Sequence, residues 1–153
     1  MEILKLIITG TLGTVGFAFF FNIKPAHVSF AAIGGAIATL VYALLDVAGG
    51  GLFVSNFVAT LICVVYSTVL ARILKTPSTV FITASIIPLV PGGALFYTMS
   101  NLIMGNLDAA KVYGLNTLKV ALGIAGGIVI ESLIVSILTK VLSARRGIMD
   151  TDK

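Results

Sequence analysis

The stretch from residue 80 to 104 reads VFITASIIPLVPGGALFYTMSNLIM. It is long and apolar enough to cross a bilayer, yet it carries Pro88, Pro91, Gly92 and Gly93 at its centre. Proline removes a backbone donor and its ring collides with the preceding turn, so the pair cannot be absorbed into a straight helix. In hydrocarbon an unpaired backbone group is costly, and a broken span persists only where protein buries it or where it lines a wet cavity. Discontinuous helices of this kind build binding sites in solute transporters. The segment predicts an all-α membrane helix bundle with a role in transport.

Composition agrees. The chain is 58% hydrophobic and only 10% charged, against about 25% charged in a soluble domain. With a mean hydropathy of +1.13, too little polar surface remains to coat a water-soluble core. The net charge of +4 comes from basic residues gathered at span ends, a pattern that fits lipid headgroups and not nucleic acid. The single Cys63 lies in an apolar run and reads as packing. With one cysteine and one histidine, His27, neither an intrachain disulfide nor a metal set is expected.

About five spans of the required length follow: residues 3–21, 28–45, 52–71, the broken span 80–104, and 117–142. Residues 105–116 read as a polar connection and the tail from 143 is polar. Residues 1–153 form a single transmembrane domain in this reading. The N-terminal region of the first span holds both Glu2 and Lys5 and no small-x-small cleavage site follows, so it reads as retained. The loops after spans one, three and five share one side and hold Lys24, Arg72, Lys75, Lys140, Arg145, Arg146 and Lys153, whereas the other side holds Lys5, Lys111 and Lys119. The richer side is expected in the cytoplasm, with the N-terminus outside. A re-entrant span four would reduce the crossings to four and reopen this assignment.

Small residues recur at helical spacing: Gly10, Gly13 and Gly16 in span one, the pairs Ala31/Gly35 and Gly34/Ala38 in span two, and Gly123/Gly127 in span five. Such spacing lets membrane helices approach closely. Glu131 shares a face with Gly123 and Gly127 and stands near the centre of its span. An intramembrane carboxyl is a functional candidate, here for proton coupling; its alternative is a hydrogen-bonded structural acid. Asp46, at the end of span two, is the second coupling candidate, with a solvated loop residue as its alternative. Asn56, Tyr66 and Asn101 are expected to bond neighbouring helices.

At the break, a new half-helix is expected from about Pro91, with Gly92, Gly93 and Ala94 in its first turn. Its free amides would receive a carboxylate. Gly93, Tyr97 and Asn101 lie on one face, and Ile86, Ile87 and Pro88 end the first half with free carbonyls, so a zwitterion fits between the two ends. Pro88, Pro91, Gly92, Gly93, Tyr97 and Asn101 are the candidate substrate-binding residues; a structural kink is the alternative. No catalytic constellation and no phosphate or cofactor motif is present, so the chain is not expected to be an enzyme or to need a cofactor.

The run SIIPLVPGGALFY, residues 85–97, resembles the signature of the threonine/serine exporter family, and ARILKTPSTVF, residues 71–81, resembles that family's entry to the same helix. The fit is to the small-subunit branch, which corresponds to the C-terminal half of full-length exporters. The resemblance implies a bacterial inner-membrane protein that exports threonine, serine or a similar small organic acid, a dicarboxylate such as succinate included, on the proton motive force. It also implies a larger partner subunit. Few fixed cations exist to hold a second carboxylate; Lys119 is the nearest. Two other functions stay open at this point: a non-transporting assembly subunit, and an uncoupled channel. Copies of the chain itself are a second class of partner.

The charge asymmetry makes a direct prediction. A reporter fused at Asp150 will read out as cytoplasmic, and a periplasmic signal there would overturn the five-span reading.

Overall fold

A computed structural model describes the chain over residues 2–151, with side-chain surroundings defined over residues 3–140. Arg145, Arg146 and Lys153, which entered the charge count, lie outside those side chains. The described residues form helices and no strand: α1 Glu2–Phe20, α2 Pro25–Val47, α3 Gly51–Leu74, α4 Ser78–Ile86, α5 Gly92–Ile103 and α6 Leu107–Thr151, with a 3-10 turn at Ile87–Leu89 after α4. Proline opens α2 at its first turn, where the missing donor has no partner to lose. A left-handed Lys75 closes α3, and Thr76 N–H donates back to Ala71 O at 3.0 Å, which satisfies a terminal carbonyl.

Helices α1, α2, α3 and α6 are each long and apolar enough to span a membrane, and α4 with its 3-10 turn joins α5 as one span bent by 53°. The bundle is therefore a multi-pass membrane fold. One expectation is corrected: the polar connection of residues 105–116 shrinks to Met104–Asn106, because α6 already begins at Leu107. Ala110 N–H donates to Asn106 O at 3.0 Å. Asp108 sits in the first turn, where a negative charge complements the helix dipole. Polar residues there coat the end of a helix and do not interrupt it.

Helix α2 lies at the middle of the packing, against α1, α3 and α4. Its Ala31, Gly34, Gly35 and Ala38 are all buried. The contact with α1 is reciprocal: Thr14 sits over Gly35, and Thr39 sits over Gly10. Both hydroxyls are satisfied within their own helices, by Gly10 O at 3.0 Å and Gly35 O at 2.9 Å, so the two side chains meet as packing groups. Gly13 and Gly16, also expected to pack, have open space beside them. On its other faces α2 offers backbone carbonyls. Tyr66 Oη donates to Phe30 O at 3.1 Å, Ser85 Oγ to Ala31 O at 3.2 Å, and the Cys63 thiol approaches Gly34 O at 3.7 Å. Only small side chains on α2 allow α3 and α4 to come near enough for this.

The second close contact joins α3 and α6. A Cβ placed on Gly123 would meet Phe53 O at 2.7 Å, and one on Gly127 would meet Phe57 O at 2.9 Å. Residue numbers rise together on both helices, so α3 and α6 run parallel. The α4–α5 pair must therefore carry the chain from one end of the bundle to the other, and span four crosses. Lys24 and Lys75 border one hollow at the α3 C-terminal end. Val135 of α6 lies there too, with Arg72 and Lys75. The basic loops thus share one end of the bundle.

The α1–α2 contact yields a paired test. Gly35→Val drives a side chain into Thr14 and should cost about 1–3 kcal/mol as an overpacked site, whereas Gly13→Val enters open space. Thermal melting in detergent should fall for the first and stay near wild type for the second; equal melting points would place the helix contact elsewhere.

Candidate functional site

Chain geometry at the break follows from its two prolines. Pro88 falls within the 3-10 turn, and Val90 turns extended at φ −62° and ψ 128°. Pro91, at φ −79° and ψ 52°, precedes the first residue of α5. The first half does not end with open carbonyls throughout, since Ile87 O accepts from Val90 N–H at 3.1 Å. At the start of α5, Gly92 N–H donates to Val90 O at 2.8 Å and Leu95 N–H to Pro91 O at 3.0 Å. The amides of Gly93 and Ala94 take no backbone acceptor among the described residues. They form the positive end of a half-helix dipole with unfilled donors.

Gly93 and Ala94 line a cavity of about 480 Å³, within the roughly 300–1000 Å³ of small-molecule pockets. Pro88, Pro91, Gly93 and Tyr97, four of the candidate substrate-binding residues, line it. Gly92 and Asn101 do not line it; Asn101 Nδ2 donates back to Tyr97 O at 2.7 Å. The rest of the polar lining comes from three other helices. Tyr42 arrives from α2, Asn56 from α3, and Tyr113 and Asn116 from α6. The Tyr97 and Tyr113 rings lie 5.3 Å apart and tilted by 31°, within the range of aromatic pairing. Asn56 is buried and anchored by its own helix, with Nδ2 donating to Leu52 O at 2.7 Å. No charged side chain lines the cavity, and the exposed Lys119 is not among its walls. Hydroxyls, carboxamides and helix amides suit a small solute of low net charge.

The two acidic candidates separate. Asp46 is exposed at the end of α2. Glu131 is 4% exposed, and its Oε1 is buried with no hydrogen-bond partner. It lies one turn beyond Gly127 on the face that meets α3, which places it level with Val64, near the midpoint of α3. Its burial matches the expectation that this face points into protein. Cys63 is buried in the core. His27 is half-buried with its ring edge-on to Phe81 at 5.7 Å.

With this geometry in view, a family profile described as Threonine/Serine exporter, ThrE matches residues 6–134. The chain belongs to the threonine/serine exporter family. The match runs from α1 into α6 and includes the break, every residue lining the cavity and Glu131. No curated protein and no solved structure gives a match. The exporter is thus a multi-pass membrane transport protein for small substrates.

Sequence reasoning missed Tyr42, Asn56, Tyr113 and Asn116 as cavity residues. Tyr113 and Asn116 were hidden by the misplaced start of α6. Their spacing of three, together with Val120 four residues further, is a helical face that could have revealed them. Asn56 and Tyr42 sit at the ends of α3 and α2 nearest the cavity, and only the tertiary fold brings them to the break.

A substitution pair checks the cavity wall. Gly93→Val places a side chain between the cavity and the half-helix amides, and should lower substrate export about tenfold, as expected for losing a charge-assisted hydrogen bond. Gly92→Val, at a residue that does not line the cavity, should retain most export. Efflux measured at equal membrane levels decides; wild-type export by Gly93→Val would reduce the break to a kink.

Proposed function

We propose that the chain is a subunit of a proton-motive-force-driven exporter of threonine, serine or a similar small organic acid. The observation that carries this reading is the uncharged cavity at the broken span, with the free amides of Gly93 and Ala94 at its wall. The substrate carboxylate binds those amides, and Tyr97, Tyr113 and the Asn56 and Asn116 carboxamides hold its polar remainder. A cavity without a fixed cation favours a monocarboxylate or zwitterion over a dianion. In this reading the buried Glu131 is the coupling group, with the exposed Asp46 as the second candidate.

The basic end of the bundle faces the cytoplasm in this proposal, with the N-terminus outside and the C-terminal tail inside. The cavity lies toward the opposite end, near the start of α3, so this conformation opens outward. The protein works in the bacterial inner membrane, is no enzyme and needs no cofactor. A larger exporter subunit, copies of the chain, or both complete the path. Support for a partner comes from α5, which buries none of its residues and exposes Leu95, Phe96, Met99 and Ile103.

Substrate efflux from cells expressing the chain with and without its genomic neighbour tests the assembly, and Glu131→Gln tests the coupling. Gradient-driven export should require the neighbour. In the assembled pair, Glu131→Gln should abolish accumulation of substrate outside against its gradient while substrate exchange partly survives, because the amide keeps the shape and cannot lose a proton. Protonophore-sensitive uphill export by the Gln variant would move the coupling group elsewhere.

A further inference from the structure

We infer that Thr60 is the proton link between the cavity and Glu131, a role that rests on Glu131 being the coupling carboxyl. Two independent features of the α3–α6 seam lead to it. The first is register. The parallel helices meet in rungs four residues apart: Asn56 Cβ lies 3.2 Å from a Cβ placed on Gly123, and Thr60 Cβ lies 2.9 Å from one on Gly127. Glu131 occupies the next position on α6. The rungs are about 6 Å apart along the axis. The first rung opens on the cavity, since Asn56 lines it, and the last is the buried carboxyl. Thr60 is the rung between. A helical side chain leans toward its own N-terminus, so the Glu131 carboxyl leans back toward Gly127 and Thr60.

The second feature is an unused hydroxyl. Thr9, Thr11, Thr14, Thr39, Thr98, Thr117 and Thr139 all donate to the carbonyl four residues earlier. That is the ordinary way a helix satisfies threonine in an apolar medium. Thr60 does not. It is 0% exposed, and its Oγ1 is buried with no partner. The Glu131 Oε1, one turn beyond Gly127 on α6, is in the same condition. Two orphaned oxygens on neighbouring turns of one seam, each carrying a desolvation penalty, mark a place where a shared proton or water completes both.

Other ionisable groups lie away from this pair. On α3, Cys63 turns toward α2, and Arg72 lies at the basic end. On α6 itself, Lys119 and Lys140 are exposed. On α5, the other helix packed on α6, Tyr97 stands at the cavity. Transfer is then a proton relay. The two oxygens are not hydrogen-bonded to each other in this conformation, so a water entering between them carries the transfer. The Glu131 carboxyl gives its proton to that water, the water passes one to Thr60 Oγ1, and the Thr60 O–H proton passes to water admitted beside Asn56. Thr60 ends as a neutral hydroxyl, Glu131 as a carboxylate, and the proton is in the cavity. Uptake reverses each bond. Ser67 is equally buried and unpartnered, but it lies a turn past Glu131, away from the cavity, and serves as the control.

The test uses the chain assembled with its genomic partner in proteoliposomes, measuring uphill export and substrate exchange across a range of external pH. Thr60→Val, which keeps shape and loses the hydroxyl, should lower uphill export about a hundredfold, the low end of what a positioned proton carrier supplies. Exchange should stay near wild type. Thr60→Ser should restore uphill export and its pH profile, and Ser67→Ala should leave both unchanged. If Thr60→Val does not accumulate, Thr60→Ala carries the same comparison. Uphill export near wild type in Thr60→Val or Thr60→Ala, or an equal loss in Ser67→Ala, overturns the link while leaving Glu131 as coupling group. Full uphill export by Glu131→Gln overturns the coupling reading itself, and Thr60's role with it.

Discussion

Everything in this bundle depends on helix backbones touching where side chains have been removed. In lipid there is no hydrophobic force to press helices together, so association rests on van der Waals contact and interhelical hydrogen bonds. Helix α2 supplies both. Its glycines and alanines bring α1 flush against one side, and its exposed carbonyls take Tyr66, Cys63 and Ser85 from the other helices. Those bonds go to carbonyls that already serve the helix, using their second lone pair. Tyr66, Cys63 and Ser85 are thus satisfied at no cost to the α2 backbone. Alanine is the commonest residue of the resulting core, and Phe81 is the one large ring fully buried in it among the described residues.

The same principle acts differently at the α3–α6 seam. There the glycines lie on α6, the carbonyls on α3, and the approach is close enough for Cα–H groups to meet Phe53 O and Phe57 O. No side-chain hydrogen bond crosses this seam among the described residues. Thr60 and Glu131 stay unpartnered within it, unlike the satisfied hydroxyls around α2. One contact is saturated and holds the scaffold. The other keeps unfilled polar capacity at Thr60 and Glu131, which the proposed transport cycle uses as groups free to change partners.

Much of this was legible in the chain. The break, its position and the restart of the helix beyond Pro91 follow from proline chemistry alone. The burial of Glu131 follows from its phase with Gly123 and Gly127. Gly13 and Gly16 were not legible, because spacing marks a face able to pack without showing that a neighbour lies there. The start of α6 was misplaced because a polar stretch was taken as a connection, when Asp108 and Lys111 only decorate a helix end. The cavity's far walls were out of reach for a deeper reason. Tyr42 and Asn56 are joined to the break by the course of three helices, and no local pattern encodes that.

The parallel course of α3 and α6 also sets an order of assembly. Helices α1, α2 and α3 pack as sequence neighbours, and so do α5 and α6, so each pair can close soon after both members are inserted. The contact between Gly123 and Phe53 joins segments far apart in the chain and on the same heading, and it cannot form until the bent span has been threaded across. Long-range contacts of this kind are made late. The glycine seam is therefore the clasp of the fold, and damage to it would leave a chain that inserts in full and fails only at the final docking of its last helix.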